Sequence, residues 1–155
     1  MEEIKNDSLK MSGWVKITHY DEQGNIKASH EDHNLVVTVG KNAVATQLAA
    51  SSPTGGFMKY VGIGTGTTSP AITDTALQTE LSGGGYSRQI GTLSSSTNTY
   101  TNTVTFAAGV GTGAITEAGL FSASTSGTML AHIVFSVYNV QSGDTFGLVW
   151  NISFN

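Results

Sequence analysis

The second half of the chain is punctuated at short, regular intervals, and this spacing constrains the fold more than any other feature. Segments 86–93, 99–106, 114–122, 129–138 and 146–154 are rich in Val, Ile, Thr and aromatic residues. Between them lie turn-forming stretches such as Ser124-Thr125-Ser126-Gly127 and Gln141-Ser142-Gly143-Asp144. β-Branched and aromatic side chains fit a pleated, half-buried surface, and Gly, Ser and Asp supply turn conformations. Short strands at this spacing predict an all-β sandwich or barrel. Upstream, 14–20, 26–30, 34–39 and 57–63 read as further strands, with Asp21-Glu22-Gln23-Gly24-Asn25 as a hairpin turn. The expectation is an all-β, jelly-roll-like β-sandwich of about seven to nine strands.

One segment breaks the pattern. Residues 40–50 are alanine-rich, with Val44 and Leu48 at i and i+4, and predict the single clear helix, capped by Thr38 or Gly40. A short helical turn is expected over 76–81, with Thr73 or Asp74 as its cap. The predicted core draws on Leu35, Val37, Val44, Leu48, Val61, Ile63, Leu77, Leu120, Ile133, Phe135, Leu148 and Ile152. Residues 1–10 carry five charges of mixed sign and few apolar groups, so they read as an N-terminal arm, with 11–155 as one domain.

The charge pattern limits function. Only 12% of residues are charged, about half the usual share, and Gly, Ser and Thr take their place. The net charge is −4, with Arg88 the single arginine, so no basic face exists to displace counterions from phosphates and no nucleic-acid partner is expected. No apolar run is long enough to span a bilayer, and no membrane partner is expected. The absence of cysteine removes disulfides, thiolate metal sites and cysteine nucleophiles.

Motifs for chemistry are weak. Gly62-Ile63-Gly64-Thr65-Gly66-Thr67-Thr68 lacks the lysine of a phosphate-binding loop and the spacing of a dinucleotide fingerprint, so it reads as a strand leaving the sheet through a glycine turn. His30 and His33 lack a third metal ligand nearby and read as a solvated loop, while His19 and His132 read as half-buried strand residues. Asp74, Glu80, Glu117 and Asp144 are the carboxylates available for paired acid–base work, and nothing in the sequence joins two of them. Glu80 and Arg88 are spaced to pair across Gly83-Gly84-Gly85, and Glu117, amid apolar strand residues, needs a donor if buried. The chain reads as a non-enzyme without catalytic residues, metal or cofactors.

Three ordered stretches resemble small structural proteins of tailed-bacteriophage virions. They are 34–43 (Asn-Leu-Val-Val-Thr-Val-Gly-Lys-Asn-Ala), 61–70 continuing through Asp74, Leu77, Glu80 and Arg88, and Thr116-Glu117-Ala118-Gly119-Leu120-Phe121 with 127–131 and the closing strand. The resemblance implies a virion role as a head decoration (cement) protein, with tail-fibre, collar or adaptor components as the alternative. A carbohydrate-binding sandwich stands as a further alternative. Short length and lack of repeats favour decoration of the outer capsid surface after synthesis in the host cytoplasm. The expected partners are the major capsid protein and further copies of the chain, with a trimer favoured. The expected contact residues lie in the arm: Glu2, Glu3, Ile4, Lys5, Asp7, Leu9 and Lys10.

Overall fold

The computed structural model describes residues 9–52, 57–83, 85–107 and 113–155. Nine strands and one helix follow in the order β1 (Met11–Tyr20), β2 (Ile26–Val36), α1 (Thr38–Ala49), β3 (Tyr60–Gly64), β4 (Gln89–Ile90), β5 (Thr92–Ser96), β6 (Thr99–Phe106), β7 (Gly113–Phe121), β8 (Met129–Val140) and β9 (Thr145–Phe154). The all-β reading holds. All pairings are antiparallel, in the order β4-β3-β7-β8-β2-β1-β9-β6-β5. The two ends of this order, β4 and β5, are consecutive in the chain and separated by Gly91 alone. The sheet therefore curls round until it nearly closes, and its two halves face each other as a sandwich does.

Alternation dictates the core. Along β9, Phe146, Leu148, Trp150 and Ile152 are all buried at a spacing of two, as a strand with one face inward requires. They meet Val15 and Ile17 of β1 and, from the opposite half, Ile63, Leu120 and Ile133 in one cluster. The central part of β7 is buried on both faces. Its outer face lies under the segment after β3, where Leu77, Phe121, Val37 and Met129 form a second small cluster.

The helix starts earlier than its composition predicts. Val37 is the N-cap, with no side-chain cap bond, and residues 38–39 are helix and not the end of a strand. The two strands expected at 26–30 and 34–39 are instead one, β2, and His30 to His33 lie within it and not in a loop. Gly40 is helical, not a cap. A Cβ there would lie 2.5 Å from the Leu130 Cα, so glycine lets α1 lie directly on β8. Val44 packs half-buried against the core, but Leu48 is 82% exposed, contrary to expectation. The contact with β8 is made near the start of α1, and one turn beyond Val44 the helix overhangs a groove. Leu35 is likewise only half-buried, while Val36 and Val37 carry the burial. The other predicted core residues are buried.

Two further expectations change. No helical turn forms over 76–81, because the N–H groups of Gln78 and Thr79 bond the Glu117 carboxylate. The strand expected over 86–93 divides at Gly91, whose N–H reaches the Lys59 carbonyl at 2.8 Å. A Cβ at Gly91 would sit 1.6 Å from Asn102 Oδ1, so no side chain fits there. Among the described residues, no helix is long and apolar enough to cross a membrane.

Candidate functional site

The carboxylates that the sequence left scattered are partly gathered by the fold. Glu117 and His132 are neighbours on β7 and β8 and have no exposed surface. His132 Nε2 lies 3.0 Å from Glu117 Oε2, and Nδ1 lies 2.8 Å from Asp74 Oδ2. The Gly66 and Thr79 N–H groups donate to Glu117 Oε1 at 2.9 and 2.8 Å, and the Gln78 N–H donates to Oε2 at 3.0 Å. Burial works to raise the Asp74 carboxyl, but the Ala71 N–H and His132 outweigh it and hold it below the usual range. The donor that Glu117 needs is therefore supplied four times over. His132 is wholly buried, not half-buried.

This arrangement explains the glycine-rich stretch. A Cβ at Gly64 or Gly66 would come within 2.5–2.6 Å of Glu117 Oε1. The glycines admit a buried carboxylate beside the backbone, a close-approach role and not a left-handed turn. The motif is a receptor for the protein's own glutamate. Since neither Glu117 nor His132 is exposed, no substrate can touch them, and the cluster binds the segment after β3 to the β7–β8 pair.

A second polar cluster lies at the far end of β1. His19 is 4% exposed, again more buried than expected, and its Nε2 is 2.7 Å from Asp144 Oδ2. Lys27 Nζ reaches the same oxygen at 2.8 Å. The Lys27 bond, with the Gln141 N–H and His19, holds the Asp144 carboxyl well below the usual range against burial. Glu80 and Arg88 pair as expected, through two bonds of 2.6 and 2.9 Å. Arg88 also donates to the Ala123 and Ser126 carbonyls and stacks 3.4 Å from the Phe121 ring centre, a cation–π contact. His30 and His33 lie on β2, where a spacing of three puts them on opposite faces. Among the described residues, no group of three His, Asp or Glu side chains is arranged to hold a metal ion.

What remains open to partners is surface. An apolar groove of about 630 Å³ runs between α1 and the free edge of β5, lined by Val44, Leu48, Phe57, Met58, Leu93 and Phe154 among others, with no charged side chain among the described residues. A second opening of about 670 Å³ separates β2 from β8. Sequence reasoning missed both, because each depends on which strand edges the topology leaves unpaired. Of the expected arm contacts, Glu2, Glu3, Ile4, Lys5 and Asp7 lie outside the described residues. Leu9 is exposed, while Lys10 is held by two backbone bonds to Asn155, at 2.6 and 2.8 Å.

The described surface presents open strand edges and an apolar groove. Over residues 38–151 the chain matches the family model described as podophage GP4 fiber I protein gp80. No curated protein and no solved structure matches it. The matched span takes in α1 and every strand from β3 to β8, well over half of the chain. The chain belongs to the podophage GP4 fiber I protein gp80 family and is a structural protein of a phage virion.

Proposed function

We propose that the protein is a non-enzymatic component of a podophage tail fibre, and not a cement protein on the head. The family match carries this reading: its description names a fibre protein, and nothing in the comparison points to the capsid surface or to the major capsid protein as partner. The fold supports it. A rigid, nearly closed sheet with few charges and open strand edges gives copies a means of associating without a catalytic cleft. Self-association belongs to this reading, with a trimer as the form favoured by the symmetry of such parts. The test is location. Virions carrying an affinity tag at the C-terminus of this chain are labelled with gold and imaged, and heads and tails are fractionated separately. Label on tail-attached fibres is the expected result. Label spread over DNA-filled, tailless heads overturns the reading and restores capsid decoration.

A further inference from the structure

Residues 65–80 cross the outer face of β7 and β8 as a strap, and little apolar surface holds them down. Within the strap only Gly66 and Leu77 are buried. Leu77 is therefore its one buried apolar anchor, set among Val37, Phe121 and Met129. The neck of the strap is closed by backbone bonds, from the Thr65 N–H to the Thr79 carbonyl at 3.0 Å and from the Leu81 N–H to the Ile63 carbonyl at 2.9 Å. Beyond the neck, most of the fastening runs through two carboxylates. The Gly66, Gln78 and Thr79 N–H groups donate to Glu117, and Asp74 meets His132. Among the described residues, two other bonds tie the strap to the body without a carboxylate. The Thr116 hydroxyl donates to the Gly66 carbonyl at 2.7 Å, and the Thr38 N–H donates to the Ile72 carbonyl at 2.8 Å.

We propose that the strap is an acid-released lid: when Asp74 and Glu117 take up protons, residues 65–80 lift from β7 and β8 while the sheet stays folded, uncovering Val37, Phe121 and Met129. The chemistry is that of an acceptor lost. An ionised carboxylate only accepts, and a proton on it occupies a position to which a backbone N–H already points. A buried N–H left without an acceptor disfavours the closed form. The route for the proton is also present. The Asp74 side chain is 25% exposed, whereas those of His132 and Glu117 are not exposed at all. Other charged groups on this side are engaged or distant from the latch. Glu80, at the neck, is paired with Arg88. Lys59 lies over the Tyr60 ring, 5.6 Å from its centre, and Lys41 of α1 is exposed. From β2, the residue level with His132 is Leu35.

The order of events follows from the two acidic clusters. Against burial, the Ala71 N–H and His132 hold Asp74 below the usual carboxylate range. Its contribution is therefore complete above about pH 4 and is lost as pH falls through its own lower value. Asp144, which ties β1 to the turn before β9, is held lower still by Lys27, with the Gln141 N–H and His19 acting with it against burial. The strap thus lets go before that end of the sheet does. The main apolar cluster, with Val15, Ile17, Leu148 and Trp150, lies on the other face of the sheet and contains no carboxylate.

Hydrogen exchange followed by NMR at pH 7 and pH 2.5, each amide compared with its intrinsic rate at that pH, separates local from global opening. The expected result is a roughly tenfold or greater fall in protection at Gly66, Gln78 and Thr79 relative to the amides of β1 and β9, with the far-UV circular dichroism of the sheet retained. Glu117→Gln, which keeps the shape and removes the charge, should show the same loss already at pH 7. If that chain does not fold, Asp74→Ala takes its place, with an expected loss at Gln78 and Thr79 of roughly threefold at pH 7. Protection that falls equally in strap and sheet, or that holds in the strap down to pH 2.5, overturns the proposal. So does a folded variant whose strap amides are as protected at pH 7 as those of the native chain.

Discussion

Glu117 shows how a single buried side chain organises a region of the fold. It satisfies three backbone N–H groups and one imidazole nitrogen, all from segments distant in sequence. Removing one partner of such a buried network strands the others, at a cost of about 3–5 kcal/mol. Glu117→Ala should lose this much stability in urea unfolding at neutral pH; a loss below about 1 kcal/mol would show that the cluster is incidental. Tyr100 gives a second residue-scale expectation. Burial, opposed by the Asn102 side chain, pushes its phenol up to about 12, and the hydroxyl donates to the Met58 carbonyl. A phenol whose folded value exceeds its unfolded value near 10 contributes stability that is complete below pH 10 and lost as pH rises toward 12. Melting temperatures taken from pH 9 to 12 should fall more steeply for the native protein than for Tyr100→Phe. The need of Glu117 for a donor was legible in the sequence. The identity of the donors was not, because a carboxylate amid apolar residues announces a requirement and only the fold brings Gly66, Gln78, Thr79 and His132 to meet it.

At the scale of elements, local pattern succeeded where one neighbour settles a strand and failed where two neighbours compete. β6 and β9 alternate cleanly because each buries one face, and their positions followed from sequence. β2 followed only in part: 26–30 and 34–36 were read as strand, whereas 31–33, without apolar alternation, are extended through pairing with β1. The helix was placed correctly in outline, but its i, i+4 pair misled. Val44 meets the core and Leu48 does not, since the end of α1 passes beyond the sheet that covers its start. Leu48→Ser should therefore leave thermal stability within about 0.5 kcal/mol of the native value. Leu120→Ala, at a site with no exposed surface, should cost about 2–5 kcal/mol. Comparable losses from the two changes would mean that Leu48 is covered in solution. The apolar groove and the β2–β8 opening were invisible to pattern reading because they are gaps between elements, set by strand order and not by any one segment.

For the whole molecule, fold class was readable early, because turn spacing is a global property that no single misplaced element can upset, and the virion role followed from the resemblance carried by three ordered stretches. The part of the virion was not, since decoration and fibre proteins draw on the same neutral, strand-forming composition. The termini of the described body bear on how it carries load. The first described strand and the last are neighbours, and Lys10 and Asn155 are bonded to each other through both backbone bonds. A force entering at Lys10 and leaving at Asn155 would meet β1 and β9 end-on and peel them apart rung by rung, the weakest way to load a ladder. The body is thus soft to a tug applied between Lys10 and Asn155.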